Sequence, residues 1–316
     1  MNRPTARRQS GAALLMAMII VTLVSTLAAG MIWQQWRAVQ VEAAERARVQ
    51  AGWILAGALD WARLILREDM KNGGADHLGE PWAVPLAEAR LSTFLAADKD
   101  NAEDAPEAFL SGSITDAQAR YNLRNLVDAN KVKPEELGGL KHLFQAIGVA
   151  PDLADTIANG MQSALAPTDP NNRSARTALM PESIDQLGWL GVDADSLQRM
   201  TPYVVLLPIR TPVNLNTASK EAMVAAVDGL DLGTAERLVQ TRQRQPFKTL
   251  QDAKALMPAT LDVKPERANV SSSFFFVRGR LRLEDRVLEQ SSLVERRPPD
   301  VIPIWKQRES SRESSG

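Results

Sequence analysis

The chain has 316 residues, of which 45% are hydrophobic and 24% charged, with a net charge of −1. That length allows about two domains, and the near-neutral balance gives no global attraction to nucleic acid or anionic lipid. There is no cysteine, which excludes disulfide frameworks, zinc–thiolate centres and cysteine nucleophiles, and the two histidines, His77 and His142, stand too far apart in sequence to suggest a His-rich metal site or a triad.

The first eleven residues, MNRPTARRQSG, carry Arg3, Arg7 and Arg8 as their only charges, and no ionisable side chain follows from Gln9 to Trp36. The apolar part, Ala12–Trp33, spans 22 residues. At about 1.5 Å per residue this crosses a hydrocarbon core of about 30 Å. Arginines before the span and none within it predict a cytoplasmic N-terminus, and Trp33 and Trp36 sit where an interfacial aromatic belt would sit. Three readings compete. A cleaved secretory peptide has a shorter apolar core than this, and Ala28-Ala29-Gly30 is a weak cleavage site inside it. A plain signal anchor needs nothing further. The third reading explains one more detail: a short basic leader ends at Gly11 and the apolar stretch starts at once. That resembles a type IV prepilin leader, cut between Gly11 and Ala12 with N-methylation of Ala12, so that the apolar helix stays on the mature protein. Prepilins usually carry Phe at the first mature position and Glu at the fifth; here those positions are Ala12 and Met16. The usual Glu is thought to offset a neighbouring subunit's amine inside an apolar filament, where a lone charge is costly. A subunit without it fits a filament tip; alternatively, Met16 is simply a lipid-facing residue.

Residues 37–67 are rich in Ala, Glu, Arg and Leu without proline, so the helix is expected to continue beyond the membrane. Trp53, Gly57, Trp61 and Leu64 recur at helical spacing and predict a stripe packed on a globular domain; Asn72-Gly73-Gly74 predicts the stop. Residues 75–110 read as loops with short elements. Residues 111–127 show partial strand alternation. Residues 131–200 read as helices, with Pro134, Pro151 and Pro181 near helix starts. A short strand is expected at 202–209, helices at 214–258, and two or three antiparallel strands at 272–297. The Ser/Glu/Arg-rich tail reads as disordered. The fold class is α+β: a pilin-like long N-terminal helix packed on a small antiparallel sheet, with a large inserted all-α (SAM/helix-hairpin-helix-like) domain. The boundaries are a leader at 1–11, a transmembrane and assembly helix at 12–36, a core in two parts at 37–125 and 269–297, a helical insertion at 126–268 and a disordered tail at 298–316.

Residues 212–247 resemble a helix-hairpin-helix unit, in which backbone N–H groups at a helix N-terminus can hold a phosphate. Here the hairpin glycines, Gly229 and Gly233, have three residues between them, including Asp231, and the charges of 212–270 nearly cancel. A structural or protein-contact role is therefore preferred to DNA binding. No phosphate loop, H-E-x-x-H or G-x-S-x-G motif is present, so no enzyme is expected. Asp169, Asn171 and Asn172 offer oxygen ligands of the kind calcium takes, and Asp98, Asp100, Glu103 and Asp104 form a second acidic set. A turn at 168–172 and a solvated loop at the acidic run are the preferred readings of the two sets.

The leader RRQSGAALLMAMIIV, the segments HLGEPWAVPL and SGSITDAQARYNLRNLV, the PVNLNTA stretch with its helical unit and the closing SSFFFVRG and SSLVER strands follow one another in an order that resembles the minor pseudopilin K (general secretion pathway protein K) family of type II secretion systems. That resemblance implies a single-pass inner-membrane protein with a periplasmic domain, sitting at the tip of the pseudopilus. It implies as partners the minor pseudopilins I and J, together with contacts to the major pseudopilin and the inner-membrane assembly platform. Family members often carry calcium after the first helices of the insertion. At the matching place this chain has Gly160–Ser163 and then Asp169, Asn171 and Asn172, so the calcium expected there is left without its usual acidic run. A membrane-anchored DNA-uptake protein is the alternative function.

Overall fold

A computed structural model describes residues 10–91, 108–165, 179–283 and 286–312. The calcium candidates Asp169, Asn171 and Asn172 and the acidic run at 98–104 lie outside the described residues. The chain divides into two compact units, Met1–Ala56 and Gly57–Gly316.

The first unit is helical. Helix α1 runs Ser10–Asn72, and its residues up to Ala56 make up what is described of this unit. From Ala12 to Trp36 every residue is exposed, as suits a segment whose surroundings are lipid rather than protein. Thr26 donates its hydroxyl to the carbonyl oxygens of Leu23 and Thr22 at 2.9 and 3.0 Å. Thr22 bonds the carbonyls of Met18 and Ile19 in the same way. These hydroxyls are thus satisfied without water, which a helix in hydrocarbon requires.

The second unit opens with the end of α1. The helix stops as Gly73 and Gly74 take positive φ values of 66° and 123°, and Gly73 N–H reaches back to Asp69 O at 3.2 Å. Left-handed backbone of this kind favours glycine and ends helices. The sheet then has the order β1 (Leu86–Arg90), β2 (Ala108–Asp116), β9 (Phe274–Leu283), β10 (Arg286–Arg297), β11 (Asp300–Arg312), all antiparallel. Between the neighbouring strands β2 and β9 lies a block of helices: α2 (Pro134–Ala146), α3 (Leu153–Leu165), α4 (Ala194–Met200), α5 (Lys220–Ala226), α6 (Leu232–Arg244) and α7 (Leu250–Lys254). Short two-residue pairs tie it together. β3 (Tyr121–Asn122) runs parallel to β6 (Val204–Val205), β4 (Val127–Asp128) pairs with β5 (Lys131–Val132), and β7 (Val213–Asn214) runs parallel to β8 (Ala268–Asn269).

Two cores result. The helical block closes on Leu140, Leu143, Phe144, Ile157, Met161, Met223 and Leu238. The sheet closes on Leu59, Ala62 and Leu66 of α1, with Trp82, Phe275, Val294 and Val301; Trp82 meets Phe275 edge-on at 5.1 Å. Two expectations fail here. The helix does bury an apolar stripe in this unit, but it is Leu59, Ala62 and Leu66, whereas Trp61 is 50% exposed and Leu64 41%. The tryptophans therefore lie on the outer face: size and spacing alone cannot say which of two apolar stripes the sheet will take. The tail expected to be disordered from 298 is instead β11 over Asp300–Arg312, paired with β10 along its length. Its polar composition hides this because its backbone ladder and two anchors are non-local: Val301 is buried in the sheet core, and Arg63 Nε donates to Val301 O at 2.6 Å. Two smaller expectations also change. The strand at 202–209 is only Val204–Val205, and the segment after Pro181 is a 3-10 helix, Ile184–Leu190, closed by Gly191 in left-handed backbone.

Helices α2 and α5 approach so closely that a Cβ on Gly139 would lie 2.2 Å from Ala225 O and 2.7 Å from Arg267 Nη2. Gly139→Ala is expected to destabilise the domain by about 3 kcal/mol in urea unfolding, through overpacking and displacement of the Arg267–Ala225 bond. Its neighbour Gly138 has open space at that point, so Gly138→Ala should instead stabilise by about 0.5–1 kcal/mol.

Candidate functional site

Gly11 and Ala12 lie in the first turn of α1, which begins at Ser10. Ala12 is exposed and Met16 is 65% exposed. Residues four apart share one helix face, so Met16 stands one turn from Ala12 on the same side, and it presents a thioether where a carboxylate would neutralise an amine. The helix is the one candidate membrane span among the described residues.

The hairpin unit can be read atom by atom. Ser219 caps α5 by accepting from Ala222 N–H at 3.2 Å, Gly229 turns the chain with φ 76°, and Asp231 caps α6. The Asp231 carboxylate accepts the Thr234 N–H at 2.9 Å and the Thr234 hydroxyl at 2.7 Å. These hydrogen bonds hold its pKa below the usual carboxylate range. The helix N-terminus that could hold a phosphate is thus filled by the protein's own anion. Nearby cations are engaged as well: Lys220 with Glu236 at 2.9 Å, Arg237 with the Thr234 hydroxyl at 2.8 Å, and buried Arg242 with Leu215 O. The geometry supports the structural role expected for this unit.

The joint between sheet and helical block is a buried polar network that sequence reasoning missed. Asp116, at the end of β2, is fully buried. One carboxylate oxygen accepts Gln118 N–H at 2.7 Å; the other accepts the Thr217 hydroxyl at 2.5 Å, the Ser272 hydroxyl at 2.7 Å and Asn214 Nδ2–H at 2.9 Å. Burial raises its pKa to about 6, against the pull of the two hydroxyls. Asn214 also donates to Asp76 O at 3.1 Å, and Asn216 holds Phe247 through both its side-chain atoms. The polar residues of VNLNT were the available signal; their partners lie 31 to 138 positions away in the chain.

Beside this joint the carboxylates of Asp69, Asp76 and Glu80 cluster within 4.8 Å. They are already used. Arg296, 8% exposed at its side chain, donates to both Asp69 and Asp76. Glu80 accepts His77 N–H and Trp82 Nε1–H, each at 2.8 Å. Burial is the largest influence on Asp76 and Glu80 and raises both pKa values. The cluster is a latch between the end of α1 and β10, with a guanidinium in the place a metal ion could take.

Comparison with known proteins agrees with this architecture. Family models for type II secretion system (T2SS) protein K match residues 119–209 and 213–271. The type II secretion system protein K of Pseudomonas aeruginosa is 29% identical over 270 residues, 78% of this chain and 76% of that protein. The protein of the same description from Pectobacterium carotovorum is 27% identical over 91% of this chain and 92% of its own length, and that from Klebsiella pneumoniae is 28% identical over 90% and 93%. A chain in the crystal structure of the GspK–GspI–GspJ complex from the enterotoxigenic Escherichia coli type 2 secretion system shares the fold, with a TM-score of 0.63 at 22% identity over 85% of this chain and 99% of that one. With matching family models across the helical block, relatives aligned over most of their length and a long helix running into an antiparallel sheet of the same fold, the chain is similar throughout to the type II secretion system protein K family.

Proposed function

We propose that this protein is a minor pseudopilin at the tip of the type II secretion pseudopilus. There it forms an initiating complex with the minor pseudopilins I and J for export of folded periplasmic proteins across the outer membrane. Residues 1–11 are the leader, 12–36 the assembly helix in the inner membrane with its N-terminus cytoplasmic, 37–125 and 269–297 a pilin-like core in the periplasm, and 126–268 a SAM/helix-hairpin-helix-like insertion. The observation that carries the tip position is Met16. One turn from Ala12 on the uncharged stretch of the helix, it cannot neutralise the amine of a subunit stacked above. The partners are supported by the solved structure of similar fold, in which GspK is crystallised in complex with GspI and GspJ.

Mass spectrometry of the mature chain tests the leader. Loss of residues 1–11 with one methyl group on Ala12 is expected, and Gly11→Val should leave the full-length precursor. An intact wild-type N-terminus, or a cut near Ala29, would sink the reading. Co-purification of I and J with the detergent-solubilised full chain tests the complex.

A further inference from the structure

Along strand β9, Phe275, Val277 and Leu281 are buried on one face, and Phe276, Arg278, Arg280 and Arg282 fall on the other, where Phe274 is buried and Phe276 packs partly against it. Arg280 faces Glu289 at 3.5 Å, and Arg282 meets Glu88 at 2.8 Å. Such cross-strand pairs are how sheets normally carry charge. The row of Arg278 breaks the pattern. Its cross-strand partners are Ser113 and Ser291, and it has no ion pair among the described residues. A second guanidinium joins it: Arg120 follows the 3-10 turn after β2 and stands 5.6 Å above the Phe276 ring. It too lacks an ion pair among the described residues. Burial and then the repulsion of Arg278 lower its pKa. The next row completes the patch with Trp305, 37% exposed, whose ring lies 6.1 Å from that of Phe276.

Two like charges held side by side repel, and an aromatic beside them exposes apolar area. A ligand that supplies carboxylates and an apolar side chain relieves both at once. We propose that the face formed by Arg120, Arg278, Phe276 and Trp305 docks an acidic segment of a partner protein, with carboxylates against the guanidiniums and an apolar side chain against Trp305. Guanidinium matches carboxylate in two-bond geometry, and charge complementarity sets specificity. Two cations in a chain of net charge −1 make no track for a polyanion. The inference goes beyond the pseudopilus reading and does not rest on it.

The test uses the full chain in non-ionic detergent and a fluorescent peptide of alternating glutamate and phenylalanine, with binding read by anisotropy. Saturable binding is expected. Arg278→Gln and Arg120→Gln should each weaken it about threefold to tenfold, with the factors multiplying in the double variant. Arg286→Gln, an equal change of net charge at the far end of the sheet, should leave it unaltered. Arg278 is exposed, so its variant keeps the thermal midpoint of the parent and a loss of binding is not a loss of folding. The proposal is overturned by absence of saturable binding, by an equal loss with Arg286→Gln, or by equal binding of a control peptide of alternating lysine and phenylalanine. Displacement of the acidic peptide by phosphatidylglycerol vesicles or an oligonucleotide at lower concentration would overturn it too.

Discussion

Replacing Arg296 with methionine is expected to destabilise the Gly57–Gly316 unit by about 3–5 kcal/mol, measured as the shift of the urea transition at pH 8. Arg296 is the shared counter-ion of Asp69 and Asp76, and its guanidinium lies 4.3 Å from the Phe275 ring. Methionine restores much of the apolar contact, so the loss isolates the charge. Two carboxylates would be left together in a buried place without a cation, and breaking a buried pair on one side costs about that much. The deficit should depend on pH. Burial already lifts the Asp76 pKa, and Arg296 is what chiefly holds it down. Without Arg296 it rises further above its unfolded value. A carboxyl shifted in that direction contributes stability at low pH that is lost as pH rises through its folded pKa. The variant should therefore recover part of its stability at pH 5. An equal deficit at pH 5 and pH 8 would show that packing, not charge, is what Arg296 provides.

Asp116 should give the second large effect. Asp116→Ala leaves the Thr217 and Ser272 hydroxyls, Asn214 Nδ2 and Gln118 N–H without their acceptor. A loss of about 3 kcal/mol at pH 7 is expected, the desolvation of several orphaned donors being partly offset by removal of a buried charge. Asp116→Asn separates the two terms. In the parent chain the folded pKa of about 6 stands above the unfolded value near 3.8, so this group's contribution is largest below pH 4 and is lost as pH rises through 6. Between pH 7.5 and pH 4.5 the parent should gain about 2 kcal/mol relative to the asparagine variant. Parallel pH profiles for the two proteins would mean that Asp116 is not the buried, titrating acceptor described above.

The features legible in the chain are those carried by neighbours in sequence. An uncharged run from Gln9 to Trp36 reads as a membrane helix because a bilayer core tests each side chain separately. The end of α1 at Gly73, the start of α2 at Pro134 and the cap of α6 at Asp231 follow from backbone chemistry within a few residues. The acid at Asp231 also foretold that the hairpin would not welcome a phosphate. The resemblance to protein K was legible for a related reason: the order of several short segments survives even where each alone is common.

What the tertiary structure decided is everything that depends on distant partners. The choice of Leu59, Ala62 and Leu66 over the tryptophan stripe rests on what the sheet offers them, namely Trp82, Phe275 and Val294. The polar tail becomes β11 because β10 presents a free ladder to it across a short turn. Asp69, Asp76 and Arg296 become a latch, and Asp116 a joint, only when segments up to 227 positions apart meet. Composition determined that this chain carries an N-terminal helix long and apolar enough to cross a membrane and a mixed helix-and-sheet domain. Long-range contacts decided which of its charges are buried and paired, because the cost of a buried charge is set by whatever the fold places beside it.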